Sequence, residues 1–335
     1  MTFTHFTAGI DDSDRRLDRV LRKFLSEESL SSLYKSLRKG LIKVNGKKCE
    51  GNFRISNGDD IQIADFLLTE KANEKSSDNK NSSPILKRAK IDLEKITVFK
   101  NESLLILNKP YDIPVQPSSS QGRLFLSEIV QEEYENTHKK SSLSFRTGPL
   151  HRLDRKTTGL IAFSQNLEGA KWFSEAIKTH TIQKEYLALL EGKFEAETVW
   201  EDMIQKLESG QQKFENERFH TVSVNSEDGK FAHTEVFPVS HAVFNGNEVT
   251  LARVLITTGR THQIRSQCAY HGFPLLGDTA YGGTKIDSKK FAQDFFLHAF
   301  ELHFPADNPL GLPEKLNAPI SKAAEDFFSS INLVF

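Results

Sequence analysis

Apolar residues recur at helical spacing in the first part of the chain. Between residues 14 and 25 they follow one another at intervals of three and four, which predicts an amphipathic helix. The apolar positions of this helix are Leu17, Val20, Leu21, Phe24 and Leu25. Ser31 is a candidate N-cap for a second helix that ends at Arg38. Asn45-Gly46 predicts a tight hairpin turn, and residues 58–63 predict another short strand.

The pattern changes after this region. Residues 69–92 are mostly polar and predict a flexible linker. Beyond the linker, two adjacent apolar runs predict a hairpin, and alternating runs predict later strands. The runs of the hairpin are 96–99 and 104–107, the later strands are 182–192, 249–256 and 296–304, and the intervening helices are 166–180, 261–271 and 323–331. Residues 195–246 have only a weak pattern.

Such an order of strands, hairpins and helices favours an α+β fold with a mixed, largely antiparallel sheet and flanking helices. We therefore expect a small domain over 14–68, a linker over 69–92 and a larger domain over 93–335. His298 lies on an apolar strand face, where a hydrogen-bonded interior histidine is expected rather than a ligand.

Composition narrows the class of protein. The chain has 335 residues, of which 38% are hydrophobic, so it can form a substantial core. No apolar run approaches the roughly 20 residues of a membrane span, and the N-terminal residues lack the features of a signal peptide. Cys49 and Cys268 are the two cysteines, too few for a disulfide framework or a metal cluster. A cytoplasmic enzyme is the expectation that fits these features.

Positive charge is local. The net charge of the whole chain is −1, but residues 14–50 contain eleven Lys and Arg against five Asp and Glu. The basic residues Arg38, Lys39, Lys43, Lys47 and Lys48 lie around the end of one predicted helix and the hairpin. This patch is a candidate phosphate-contacting surface, and a solvated charged surface is the alternative.

The candidate chemistry centres on residues 148–160. Asp154 lies among Arg152, Arg155 and Lys156, and a Thr-Thr-Gly turn and an apolar run follow. Nearby cations keep a carboxylate ionised, and a turn before a strand holds it on a rigid support. An ionised carboxylate in a positive cleft suits attack on, or stabilisation of, a sugar carbon that is losing its base. The alternative is an ordinary surface ion pair.

Three segments together closely resemble the RluA-type family of RNA pseudouridine synthases. Combined with the N-terminal module described below, they resemble its RluC-like branch, which acts on ribosomal large-subunit RNA. The segments are His151-Arg152-Leu153-Asp154 with Thr157-Thr158-Gly159, then Lys184-Glu185-Tyr186, then Thr258-Gly259-Arg260-Thr261-His262-Gln263-Ile264-Arg265 with Pro274 to Gly282. Only Thr158, where the family usually has Ser, departs from the first pattern. The resemblance extends from about Leu104 to Phe304.

The resemblance implies isomerisation of uridine to pseudouridine after the base leaves its stack, without a cofactor or a metal. Asp154 matches the essential aspartate, which either adds covalently or assists elimination. Arg265 matches the arginine that pairs with it, and Tyr186 matches the aromatic residue that stacks on uracil. Lys109, His151, Arg152, Arg260 and His262 are the expected RNA contacts of this domain, with hydrogen bonding as the other role for the two histidines. Gly259 and Gly277 are expected to serve the backbone.

The N-terminal residues have a resemblance of their own. Leu37-Arg38-Lys39-Gly40, Ile42, Val44, Asn45 and Gly46 match the pattern of the S4-type RNA-binding domain. This implies an S4-like RNA-binding domain before a pseudouridine synthase catalytic domain, in a protein expected to be a monomer with large-subunit ribosomal RNA as its partner.

Three alternatives stay open. The target could be transfer RNA. The protein could be a non-catalytic RNA-binding or ribosome-assembly protein, which the complete set of Asp154, Tyr186 and Arg265 argues against. It could be a glycosidase or nucleoside hydrolase, which would normally need two carboxylates where only Asp154 is evident.

Overall fold

The computed structural model describes residues 1–25, 28–68, 91–117, 124–137, 142–207, 214–215, 218–219, 222–288 and 291–335. These residues form two compact units. The N-terminal unit comprises residues 1–91, 128–148 and 165–168, and the C-terminal unit comprises 92–127, 149–164 and 169–335. The predicted linker at 69–92 lies outside the described residues except for its last two positions.

Residues 1–64 of the N-terminal unit contain a three-stranded antiparallel sheet in the order β1-β3-β2 and, among the described residues, two α-helices. The strands are β1 (Phe3–Thr7), β2 (Ile42–Val44) and β3 (Asp60–Ala64), and the helices are α1 (Leu17–Phe24) and α2 (Leu30–Lys39). The apolar positions that predicted the first helix are buried in the core of this unit, Phe24 only partly. The expected domain start at residue 14 leaves out β1, which pairs with β3 along its whole length.

Local signals define the ends of α2 and the following turn. The N-cap is Ser29, whose hydroxyl accepts a hydrogen bond from the backbone N–H of Ser32, so the expected cap at Ser31 is wrong by two residues. Gly40 ends the helix with a left-handed φ of 71°. Asn45 and Gly46 both have positive φ, as the predicted hairpin turn requires.

A buried carboxylate binds a distant segment of the same unit. Asp12 is 0% exposed. It accepts hydrogen bonds from the hydroxyl of Ser142 (2.8 Å) and from the backbone N–H groups of Leu143 (2.8 Å) and Ser144 (3.1 Å). These bonds explain why residues beyond 128 belong to the N-terminal unit, which no local pattern indicated.

The C-terminal unit contains a long mixed sheet in the order β11-β8-β12-β13-β7-β14-β6-β5-β4, with β15 also paired to β14. Among the described strands only β14 and β6 run parallel. The strands are β4 (Thr97–Lys100), β5 (Leu104–Lys109), β6 (Thr158–Ser164), β7 (Gln183–Glu191), β8 (Thr198–Lys206), β11 (Val222–Val224), β12 (Lys230–Phe244), β13 (Asn247–Ile256), β14 (Leu297–His303) and β15 (Lys315–Asn317). A separate pair, β9 (Phe214–Glu215) and β10 (Arg218–Phe219), is antiparallel.

Besides two short 3₁₀ helices at Ile10–Asp12 and Thr279–Tyr281, the described residues include five further α-helices. They are α3 (Leu93–Ile96), α4 (Leu126–Thr137), α5 (Leu167–Lys178), α6 (Gln263–Tyr270) and α7 (Lys322–Ser330). The predicted helices at 166–180, 261–271 and 323–331 correspond to α5, α6 and α7. No described helix is long and apolar enough to cross a membrane.

The central strands are buried on both faces and carry the strongest sequence signal. Every residue of β6 is buried, and so are the seven residues from Lys184 to Leu190 in β7. Gly159 lies opposite Ala299 in the parallel contact with β14; its φ is +103°, and a Cβ there would lie 2.2 Å from the carbonyl oxygen of Ala299. The predicted α+β class with a mixed, mostly antiparallel sheet is confirmed.

The outer strands were missed by the sequence pattern. Residues 195–246 contain β8 and the long strand β12. Phe231, Val239 and Val243 of β12 and Val199 and Met203 of β8 are exposed apolar residues. They obscure the alternation of buried apolar and exposed polar residues by which such strands are recognised.

Candidate active site

Asp154 lies in the loop that leads into β6. The backbone carbonyl of Asp154 accepts a hydrogen bond from the N–H of Thr157 (3.1 Å), which closes the turn. Because β6 is entirely buried, the turn is attached to a rigid part of the sheet. The Asp154 side chain itself is 20% exposed, so the carboxylate faces an opening.

That opening is a cleft of about 480 Å³ in the C-terminal unit. It is lined by three parts of the sheet edge: the Asp154 loop, the start of β7, and the segment from the end of β13 into α6. The predicted site residues that line it are His151, Arg152, Asp154, Tyr186, Arg260, His262 and Arg265. The tertiary structure therefore brings together residues from all three motifs.

Arg265 has two carboxylates within reach, and the nearer one is not Asp154. Its guanidinium donates two hydrogen bonds to Asp278, at 2.6 and 2.8 Å, whereas Nη1 lies 3.9 Å from Oδ2 of Asp154. The expected direct pair of Arg265 with Asp154 is thus a longer-range ion pair. Burial acts to lower the pKa of Arg265, but its bonds to Asp278 and the charges of both carboxylates raise it above the usual value. A fixed positive charge therefore faces Asp154.

Aromatic rings hold the guanidinium in place. The Arg265 carbon Cζ lies 4.9 Å from the ring centre of Tyr281 and 4.7 Å from that of Phe295. Gly277, just before Asp278, has φ +91°, and a Cβ there would lie 1.7 Å from the Asp294 carbonyl oxygen. Only glycine fits this position, which confirms its backbone role. Gly259 has no such constraint.

His262 connects the same network to Asp154. Its Nδ1 lies 2.8 Å from the hydroxyl of Tyr281, and its Nε2 lies 3.6 Å from Oδ2 of Asp154. Burial lowers the pKa of His262, which favours the neutral ring. Of the two roles expected for this histidine, hydrogen bonding is the one that the structure contains.

Tyr186 is 7% exposed and lies on β7. Burial, with the charge of Asp154, raises the pKa of its phenol well above the usual value. The hydroxyl therefore stays protonated at neutral pH, and the ring is better suited to an apolar or stacking contact than to removing a proton.

The other two cations of the Asp154 loop point elsewhere. Arg155 pairs with Asp112 (3.2 Å between Nε and Oδ1), and Lys156 pairs with Asp294. The expectation that these neighbours in sequence keep Asp154 charged is wrong, because each already has its own carboxylate. Arg152 is exposed at the edge of the cleft.

Lys109 is a structural residue. Its side chain is 0% exposed, and Nζ donates to the carbonyl oxygens of Pro110 (3.0 Å), Ile113 (2.9 Å) and Arg155 (2.9 Å). This burial contradicts the expected RNA contact. The bond to Arg155 attaches the end of β5 to the residue that follows Asp154, so Lys109 helps to hold this loop in place.

His151 supports the loop from the other side. Its Nε2 accepts a hydrogen bond from the backbone N–H of Ala162 (3.0 Å), and its ring stacks on Phe173 at 5.9 Å between ring centres. Burial lowers its pKa to about 3, so the ring is neutral, as an acceptor nitrogen requires. Its Nε2 accepts a hydrogen bond, which is one of the two roles expected for this histidine.

Comparison with known proteins decides the family. The family model described as RNA pseudouridylate synthase matches residues 103–270, half of the chain, and this range holds Asp154, Tyr186 and Arg265. The chain belongs to the RNA pseudouridylate synthase family. It is an RNA pseudouridine synthase, as its sequence motifs implied.

The curated relatives are similar over nearly their full length. "Ribosomal large subunit pseudouridine synthase C" of Haemophilus influenzae is 29% identical over 303 residues, 89% of this chain and 86% of that protein. The protein of the same name from Escherichia coli K12 is 27% identical over 299 residues, 88% and 86% of the two chains. The structure of human RNA Pseudouridylate Synthase Domain Containing 4 covers 72% of this chain and 95% of its own, with a TM-score of 0.56 and 20% identity, which supports the fold.

Two residues of the candidate site were not assigned from the sequence. Asp278 and Tyr281 hold Arg265 and His262, respectively. Both belong to the Pro-x-x-Gly-Asp-x-x-Tyr-Gly segment, so the signal was present, but its role depended on which arginine and histidine lay nearby. Asp278 is 2% exposed and already bound by Arg265, so it does not offer a second open carboxylate.

Proposed function

We propose that this synthase converts specific uridines of large-subunit ribosomal RNA to pseudouridine, with Asp154 as the catalytic carboxylate. The observation that carries the proposal is the placement of Asp154: it is the carboxylate open to the cleft, opposite the fixed charge of Arg265 and beside Tyr186. The names of the curated relatives support the RNA class.

The proposed reaction is an isomerisation. The bond between ribose C1′ and uracil N1 breaks, a bond between C1′ and C5 forms, and the hydrogen of C5 is replaced by one on N1. Asp154 acts at the reacting nucleoside either by covalent addition or by assisting elimination at the ribose. In both routes the guanidinium of Arg265, held in place by Asp278, places a fixed positive charge 3.9 Å from the Asp154 carboxylate.

The target base has to leave its stack to enter the cleft. We assign Tyr186 to stacking on the uracil, because a protonated, largely buried phenol presents a ring face and no base. Arg152, exposed at the cleft edge two residues before Asp154, is assigned to the RNA backbone or to the space that the base leaves.

The N-terminal unit is proposed to be an S4-like RNA-binding domain. Arg38 and Lys39 at the end of α2 and Lys47 in the hairpin turn are exposed, and Lys43 is partly exposed beside the ring of Phe3 (4.6 Å from Nζ to the ring centre). None of these four has an ion pair with a carboxylate in the described part of the chain, so their charges are available to phosphates.

Mapping of pseudouridine tests the proposal. Large-subunit ribosomal RNA from cells that lack the gene is compared with RNA from cells complemented by the wild type or by Asp154→Asn. We expect the sites to vanish without the gene, to return with the wild type and to stay absent with Asp154→Asn, although the variant still binds RNA. Sites found in transfer RNA alone would redirect the target, and free uracil as a product would indicate a hydrolase.

A further inference from the structure

A second buried lysine lies in the cleft, and the proposed mechanism gives it no task. Lys184 is the second residue of β7 and is 7% exposed, and its side chain lines the same cleft as Asp154. Because side chains at i and i+2 of a strand share one face, Lys184 lies beside Tyr186, about 7 Å along the strand.

Lys184 lacks the partners that a buried ammonium normally has. Among the residues that the structure describes, no carboxylate pairs with its Nζ and no carbonyl accepts a hydrogen bond from it, in contrast to Lys109 with three carbonyls. Burial, together with the positive charge of Arg260, lowers the pKa of Lys184 to about 8. A buried cation without a counter-ion costs free energy, so this position is suited to an anionic ligand that supplies the counter-charge when it binds.

Arg260 is held as the second cation of the same wall. Its Nε donates to the carbonyl oxygen of Phe231 (2.9 Å), and its backbone N–H donates to Oε1 of Gln263 (3.0 Å). Gly259 precedes Arg260 in the chain and lies near Lys184, since a Cβ on it would be 3.7 Å from Nζ of Lys184, an ordinary contact distance. Neither hydrogen bond of Arg260 is to a carboxylate, so these contacts leave its positive charge unneutralised.

The positive charge continues beyond the cleft. Arg260 also lines a neighbouring cavity of about 380 Å³, whose wall includes Lys206 and Lys230 together with Asp228. A small free anion would need only Lys184 and Arg260, whereas a polyanion could also contact Lys206 and Lys230. This continuity favours a phosphodiester chain as the ligand.

We propose that Lys184 and Arg260 form a subsite for a backbone phosphate of the RNA strand, adjacent to the nucleotide whose base lies against Tyr186. The inference rests on the proposed function, because it uses the placement of the target nucleotide there. Lys184 supplies a positive charge to the phosphate. Arg260 supplies a second positive charge, whose guanidinium has a fixed orientation. The subsite holds the strand on one side of the cleft while Asp154 acts on the ribose.

The first test replaces Lys184 by methionine, which keeps the length of the side chain and removes the charge. We expect the affinity for a short uridine-containing single-stranded RNA to fall about tenfold, and the slope of log affinity against log salt to decrease by about 0.7. The melting temperature should stay the same or rise, because an unpaired buried charge has been removed. Lys171→Met, at an exposed position of α5, is the matched control and should change none of these three quantities.

Each result decides the matter. Unchanged affinity and salt slope in Lys184→Met would overturn the subsite. If the affinity and the melting temperature both fall, Lys184→Arg is measured next. Wild-type affinity in Lys184→Arg would support a phosphate contact, and weak binding in both variants would show that the lysine serves packing instead.

The pH dependence gives a second readout. The free ammonium loses its proton as pH rises through about 8, and a phosphate contact needs that proton, so wild-type affinity should fall above pH 8. Lys184→Arg should remove this fall, because an arginine stays charged. The other titratable and charged groups that face the cleft are His151, Arg152, Asp154, Lys178, His180, Tyr186, Arg260, His262 and Arg265. They are unchanged in both proteins, so a fall that persists in Lys184→Arg would assign it to them and contradict the proposal.

Measurements of RNA binding and of uridine conversion distinguish a failure of the phosphate subsite from a failure of the proposed function. If the wild type leaves ribosomal RNA unconverted while Lys184→Met still loses affinity and salt dependence, the proposed target is wrong and the phosphate subsite stands. If the wild type converts ribosomal RNA and Lys184→Met binds it unchanged, only the subsite is refuted.

Discussion

The cleft of the C-terminal unit and the basic surface of the N-terminal unit use charge in different ways. In the cleft, Arg265 and Asp278 are 10% and 2% exposed at their side chains and bind each other with two hydrogen bonds. On the N-terminal surface, Arg38, Lys39 and Lys47 are exposed and have no described carboxylate partner.

This difference sets the size of the effects. Removing one member of a buried ion pair leaves the other as an uncompensated buried charge, which is strongly destabilising. An exposed lysine is already hydrated, and its removal changes little except the attraction to phosphates. Substitutions in the cleft should therefore affect folding and catalysis strongly, and those on the N-terminal surface should affect RNA affinity mildly.

The largest effect is expected for Arg265→Leu. It leaves the Asp278 carboxylate buried without a partner, which should destabilise the C-terminal unit by about 3–5 kcal/mol and remove activity. Denaturant unfolding of the full chain measures the change. In the double variant Arg265→Leu/Asp278→Leu we expect part of the stability to return without the activity, and a single variant as stable as the wild type would contradict the buried pair.

Lys109→Met should have a smaller effect on stability. Three carbonyl oxygens lose their hydrogen-bond donor, which destabilises the fold, whereas removal of the buried charge stabilises it. We expect the free energy of unfolding to fall by about 1–3 kcal/mol in total. Activity should fall too, because the bond to the Arg155 carbonyl holds the loop of Asp154. Lys39→Met, on the exposed surface, is the control and should lie within about 0.5 kcal/mol of the wild type. Equal stabilities of the two variants would contradict the larger contribution to stability expected of the buried lysine.

Acid should destabilise the C-terminal unit through its buried histidines. His298 is 2% exposed and bonded to Thr158 and to the Ala318 carbonyl, as predicted for an interior histidine, and burial lowers its pKa from 6.5 to about 4. The unfolded chain takes up the proton first, so the contribution of His298 is complete above pH 6.5 and is lost as pH falls toward 4. At pH 5 the loss is about 2 kcal/mol. His298→Gln should show that much less destabilisation between pH 7 and 5, and identical pH profiles would refute the assignment.

The smallest effect is expected on the N-terminal surface. Lys39→Gln and Lys47→Gln should each weaken RNA binding a few-fold and reduce the salt slope by about 0.7–0.9 for each phosphate that the variant no longer neutralises. Conversion at saturating RNA and the melting temperature should not change. If either variant lowered the maximal rate as Arg265→Leu does, the N-terminal unit would have a role beyond binding.

Much of the fold followed from the sequence. The hairpin of β4 and β5, the strands β7, β13 and β14, and the helices α1, α5 and α7 have clear apolar patterns. The helix α6 is mostly polar and was placed by Ile264 and Cys268. All of these positions were predicted to within a few residues. The strands β8 and β12 were missed because exposed apolar side chains break their alternation. β1 and the segment bound to Asp12 were missed because their positions depend on partners that lie far away in the sequence.

The site divides in the same way. The sequence by itself determined the family, the candidate carboxylate Asp154 and its association with Tyr186 and Arg265, because short motifs fix the order and type of these residues. Only the tertiary structure decided which charge meets which. In the structure Arg265 binds Asp278, Arg155 and Lys156 pair with Asp112 and Asp294, and Lys109 is buried against three carbonyls, whereas Lys184 has no carboxylate or carbonyl partner among the described residues. Coulomb and hydrogen-bond energies depend on distance and on exclusion of water, and neither quantity is encoded in the spacing of residues along a chain.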